Sequence, residues 1–146
     1  MTLIVAGLAA ADVSSECRTA GKKPGSCELY AVSLVRLLSH PDLYDGKRVI
    51  VKGFVRLEFE GQGIFLSKED DEYLITRNGL WLAPRYDFKF SKSLSGRYCS
   101  VIGRFSAQKR GHLSAWGGSL VEVEAMAPLS RRSHLTGDQQ DAEVGE

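Results

Sequence analysis

The sequence is poor in the features that usually announce a chemistry. Its 146 residues carry 19 Lys and Arg against 18 Asp and Glu, a formal net charge of +1. A chain so balanced has no global field to draw in nucleic acid or anionic lipid, so such binding needs a local patch. No apolar run approaches the ~20 residues that a membrane-spanning helix requires. Cysteine occurs only at positions 17, 27 and 99, with no C-x-x-C, so neither a zinc knuckle nor a redox motif is suggested. P-loop, H-E-x-x-H and G-x-S-x-G signatures are missing. His40, His112 and His134 are scattered, and no nucleophile–His pairing is indicated. Glu58 and Glu60 share one side of a strand, where paired carboxylates can do acid–base work, but a hairpin end reads as solvated. The acidic run Lys68–Glu72 lacks the D-x-D-x-D-G order of a calcium loop and reads as a soluble turn or short helix. The chain therefore reads as a non-enzyme, with no catalytic residue, metal or cofactor expected.

What is present is β pattern. In residues 46–59, Val49, Val51, Val55, Leu57 and Phe59 fall on odd positions, with Gly53 among them. Ile50, Lys52, Phe54, Arg56 and Glu58 occupy the even ones. This is period-two alternation, one face apolar and the other mixed. Such a strand is too long to stay flat in a small domain, and Gly53 is where it is expected to bend. Glu60–Gly63 then reads as a hairpin loop, with Gly61 and Gly63 supplying positive φ. Residues 64–67 return, and residues 79–83 form a third strand before Pro84. Residues 84–96 are irregular or partly helical. A fourth strand, 96–105, repeats the first device with Gly96 and Gly103, and residues 119–127 give the fifth. Ahead of them Ser33 caps a short helix whose Leu34, Leu37 and Leu38 share a face, and Pro41 ends it. The expected fold is all-β with a short N-terminal helix, a five-stranded barrel of the OB type. A flatter open sheet covered by that helix is the competing reading.

The expected organisation is one domain. Residues 1–28 form a signal-like apolar segment plus linker, residues 29–127 the barrel, and residues 128–146 a disordered polar tail. Leu3 to Ala11 match the core of a secretory signal, with Ala9 and Ala11 in an A-x-A arrangement. No basic residue precedes them, and the alternative is a short apolar arm of a cytoplasmic protein. In an oxidising compartment Cys17 and Cys27 would pair and close the loop between them, contributing about 2–3 kcal/mol. Cys99 reads as a buried thiol. Periplasmic or secreted localisation is the first expectation.

The stretch from Leu37 to Gly61, followed by residues 64–73 and 80–82, resembles small uncharacterised bacterial OB-like proteins. The P-x-x-Y-D-G-K entry at Pro41–Lys47 and the E-F-E-G hairpin at Glu58–Gly61 are its distinctive pieces. The likeness covers residues 33–127. More distantly, on strand pattern alone, the chain is similar to anticodon-binding-like OB domains. The resemblance implies a fold and brings no activity and no functional residue.

OB barrels bind on the face of their second and third strands, between the first hairpin loop and the loop joining strands four and five. The latter loop here holds Lys109, Arg110, His112 and Trp116. Cations for phosphate and a ring for base stacking are what a single-stranded nucleic acid needs. Arg85, Tyr86, Lys89 and Lys92 add to the patch. The bland alternative is a solvated turn with Trp116 packed. Carboxylates at 58, 60 and 69–72 would repel a phosphate backbone, so a mixed rim suits a protein partner or a small polar ligand better. The leading expectation is a binding module for one of these, and a single-stranded nucleic-acid binder is the runner-up.

Overall fold

Strand β3 (Arg48–Arg56) organises the molecule because both of its edges are used. The computed structural model describes residues 13–132, so the signal-like residues 1–12 and the tail residues 133–146 lie outside the described part. Along one edge β3 pairs antiparallel with β6 (Arg97–Ser106), from Arg48 opposite Arg104 to Val55 opposite Arg97. Along the other edge it pairs with β4 (Gly63–Phe65), which pairs with β5 (Gly79–Pro84). β5 runs parallel to β7 (Ser119–Pro128), and β7 returns antiparallel to β6. The order β3-β4-β5-β7-β6-β3 closes a five-stranded barrel, which leaves none of its strands with an open edge.

The alternation read in the sequence fills the barrel. Val49, Val51 and Val55 from β3 meet Val101 and Phe105 from β6, with Leu80, Leu82, Leu120 and Val123 opposite. The short helix expected from Ser33 forms as α1 (Leu34–Ser39), after a hairpin and ahead of the barrel strands. The Ser33 hydroxyl accepts from the Arg36 amide. Leu34 and Leu37 of α1 and the wholly buried Tyr44 join the same core. Tyr44 donates its hydroxyl to Glu16 at 2.5 Å and accepts from Arg36 Nε at 2.6 Å, so the segment before the barrel is tied to it. Burial pushes the Tyr44 phenol above its ordinary value, and the bond to Glu16 adds to this.

Residues 13–28, which fall in the segment expected as a linker, hold structure. β1 (Cys17–Ala20) and β2 (Cys27–Ala31) form an antiparallel hairpin, and β2 adds in parallel to β3 through Tyr30 and Ala31. A polar Gly/Pro/Lys run hides this hairpin, because its strands are too short to show a period. Cys17 and Cys27 are joined in a disulfide across it, with Cα atoms 5.8 Å apart. Cys99 is free and buried, and burial pushes its thiol above its usual value. A thiol reagent is therefore expected to label no cysteine of the native, unreduced chain and one equivalent in denaturant. Two further equivalents should appear only after reduction. Labelling of the native protein at Cys17 or Cys27, followed by mass spectrometry, would contradict the disulfide.

The glycines work differently from expectation. β3 stays paired with β6 straight through Gly53, opposite Cys99. The need for glycine there is close approach. A Cβ at 53 would sit 2.5 Å from the Phe65 carbonyl oxygen and 2.8 Å from Leu34 Cδ1. At Gly103 the irregularity belongs to the partner strand. The register shifts between Ile102 and Arg104, and Glu122 on β7 takes the left-handed φ of 52°. In the first hairpin loop the positive φ falls on Glu60 and on neither Gly61 nor Gly63. Because β3 ends at Arg56, Phe59 leaves the expected inward row and is 94 % exposed.

Candidate binding cleft

Two chain segments wall a cleft lined by Phe59, Phe88 and Phe90. One is the loop 57–62 after β3, the other the stretch from Pro84, the last residue of β5, to Lys92. They are fixed by backbone bonds from the strands beneath. The Leu82 amide donates to the Gln62 carbonyl at 3.1 Å, and the Arg85 amide to the Val123 carbonyl at 2.9 Å. The Leu57 amide donates to the Ser95 hydroxyl at 2.9 Å, which ties the first wall to the turn that follows the second. Between the walls is a space of about 640 Å³. Leu57, Phe88 and Phe90 make its apolar floor, and the two phenyl rings meet edge to face at 5.8 Å. Phe59 lines it while remaining almost fully in water.

The cleft is lined by two cations and one carboxylate. Lys89 and Lys92 line it and enter no ion pair among the described residues. Glu58 lines it too, with Arg56 Nη1 at 3.9 Å. Arg85 is committed elsewhere. Its Nε meets Asp87 at 2.6 Å and its Nη1 meets Glu124 at 3.0 Å, and Arg48 holds the other oxygen of Glu124. The Arg85 guanidinium, bonded to Asp87, holds that carboxyl below the usual range. Arg85 thus pins the loop to β7. Tyr86 beside it is 98 % exposed.

The second half of the expected patch is built otherwise. Lys109, Arg110 and His112 are exposed on the loop 107–118, but Trp116 is only 5 % exposed. Its ring lies 5.1 Å from Phe65 and 5.8 Å from Trp81, and Phe54 completes the cluster. Glycines make the room. A Cβ at Gly63 would come 2.1 Å from Trp116 Cη2, and one at Gly111 would come 2.7 Å from Trp116 Cδ1. Trp116 therefore covers the outer face of β4 and β5 and is not a free stacking platform. The structure places Lys89 in the aromatic cleft and Lys109, Arg110 and His112 on the separate loop that carries Trp116.

The acidic run is also partly structural. It forms α2 (Lys68–Glu72), in which Asp70 and Asp71 are buried. Asp70 accepts from Asn78 at 3.0 Å, and Asp71 receives Arg56 Nη2 at 2.5 Å. Only Glu69 and Glu72 of its carboxylates face water. Among the described residues no group of three His, Cys, Asp or Glu is placed to hold a metal ion. Nor is any described helix long and apolar enough to cross a membrane.

Sequence reasoning passed over Phe59, Phe88 and Phe90 as site residues. Phe59 had a signal, an aromatic between two glutamates beside a Gly-rich turn. Phe88 and Phe90 had only their alternation with Tyr86, a pattern as common in a core as in a site. The fold and the cleft together define a small closed β-barrel with an aromatic groove on its rim. No family model, curated protein or solved structure matches the chain.

Proposed function

We propose that the chain is a non-catalytic binding module of the OB type. Its aromatic cleft takes an extended apolar segment of a partner protein. The strand order supports the fold type: counting barrel strands from β3, the order is 1-2-3-5-4-1, with the third and fifth parallel. This is the connectivity of a five-stranded Greek-key barrel, and it agrees with the resemblance to small bacterial OB-like proteins. The observation that carries the function is Phe59. A phenyl ring held in water at the lip of an apolar groove loses its hydration cost only when a partner covers it. Lys89 and Lys92 favour an acidic residue beside the apolar one, and Glu58 disfavours a polyphosphate chain. The burial of Trp116 removes the stacking ring on which a nucleic-acid reading depends. The disulfide fits an oxidising compartment, and export is part of the proposal.

The test uses defined probes. Peptides selected from a random phage display library are expected to share an apolar residue flanked by Asp or Glu. Titrated as synthetic peptides into the labelled protein, they should shift amide signals of residues 57–62 and 85–92. Phe59→Ser should weaken binding at least about tenfold without altering the fold, as expected for a central anchor. Oligodeoxythymidine should give no shift at low ionic strength. Peptide binding that is indifferent to Phe59, or salt-sensitive binding of the oligonucleotide at this cleft, would overturn the reading.

A further inference from the structure

Both edges of β3 are occupied, but two strands share the second. The odd residues of β3 bond toward β6, as the Phe105 amide does to the Lys47 carbonyl at 2.9 Å. Its even residues therefore aim their N–H and C=O groups at the other edge. There the Val32 amide donates to the Ile50 carbonyl at 3.1 Å, and β2 has no residue opposite β3 beyond Ile50. The pairing with β4 starts only at Phe54, opposite Phe65. Lys52, between the two, has no residue opposite it on this edge. Its N–H donor and C=O acceptor face a break one residue long. Neither flank can close it, because the chain turns away into α1 after Ser33 and into α2 after Ser67, each serine hydroxyl capping its helix.

A groove of about 580 Å³ lies at this break. Val32 and Leu34 line it from one flank and Leu66 from the other, and Leu29, Ala31 and Ile50 extend its apolar wall. Its charged lining residues are Arg18 and Lys52, both exposed, and no carboxylate lines it. Neither cation enters an ion pair among the described residues. We propose that the groove takes the carboxyl terminus of a peptide whose last residue is aliphatic. That residue gives its N–H to the Lys52 carbonyl and receives the Lys52 N–H on its carboxylate, which fills the missing place in the ladder. The break admits one residue, so an internal segment would have to leave the sheet on both sides, whereas a chain end leaves it once. Two unpaired cations select the carboxyl end and reject an amino end. The apolar wall takes the last side chain. The groove shares no lining residue with the aromatic cleft.

Amide spectra of the labelled full chain test this with acetyl-trialanyl-leucine, offered as the free acid and as its carboxamide, and with sodium octanoate. Each is titrated to about 10 mM at low salt, since a one-residue pairing makes a weak complex. The free acid is expected to shift the amide signals of Lys52 and Leu66. The carboxamide should bind at least about tenfold more weakly, because the charge-assisted bonds are gone. The double variant Arg18→Glu, Lys52→Glu should weaken binding of the free acid by about tenfold, with its other amide signals in place to show that it is folded. No shift at Lys52, a carboxamide as good as the acid, or a double variant that binds like its parent would each overturn the proposal. Octanoate binding as well as the peptide would overturn it too, since strand pairing then contributes nothing. Shifts at residues 57–62 and 85–92 in place of Lys52 and Leu66 would assign the peptide to the aromatic cleft and overturn it likewise.

Discussion

Gly53→Ala should lower the unfolding free energy by about 3 kcal/mol, the upper range for overpacking a tight interior. The added methyl meets the Phe65 carbonyl oxygen at 2.5 Å and the side chains of Ile64 and Leu34 at 2.8 Å. The oxygen belongs to the backbone of β4, which is locked to β3 through Phe54–Phe65 and Val55–Ile64, so it cannot step aside alone. Leu34 is on α1, so the same methyl also pushes the helix off the barrel. Urea unfolding checks the effect as a fall in midpoint at unchanged slope. Gly61→Ala is the control, because its nearest atom is 3.8 Å away. Should Gly53→Ala unfold within about 0.5 kcal/mol of the parent, as ordinary surface substitutions do, the close approach assigned to β3, β4 and α1 is wrong.

Arg56→Met should cost about 3 kcal/mol, because it strands a buried carboxylate. Asp71 is only 7 % exposed, and Arg56 reaches it with both Nε, at 2.9 Å, and Nη2, at 2.5 Å. Arg56 also lies over the Phe54 ring at 5.5 Å, so the guanidinium fastens α2 to the outer face of β3. Its own pKa is pushed further up, first by the bond to Asp71. Replacing both partners by apolar residues, Arg56→Met with Asp71→Leu, should recover stability to within about 1 kcal/mol of the parent, since no unpaired charge is then left behind. A double-mutant cycle in urea measures the coupling. If the double variant is as unstable as the sum of its two parents, the pair contributes nothing by itself and the clamp is packing alone.

These sites differ in how visible they were beforehand. The barrel strands show in the sequence because period-two alternation reports burial one residue at a time. Val49, Val51 and Val55, and later Val121 and Val123 alternating with Glu122 and Glu124, mark strands without any knowledge of partners, though of Val121 and Val123 only Val123 is in the buried core. The helix cap at Ser33 shows for the same reason, being a bond between neighbours. Trp116 does not. Its burial depends on Gly63, Gly79 and Gly111, which lie far from one another along the chain and clear one common space. Phe59 misled the pattern because alternation continues past Arg56 in letters after the strand itself has ended. Phe54 misled it in the other sense, since an outward position is covered by Phe65 and Trp116.

By itself the sequence determined the number of barrel strands and their succession along the chain, the capped helix before them and the near-neutral net charge. Each of these is a local or summed property, set by neighbours a few residues apart or by the total. Only the tertiary structure decided the closure between β3 and β6, the hairpin that the disulfide spans, and which aromatic rings face water. Those depend on which distant segments share a surface, and a buried ring and an exposed one are spelled with the same letter.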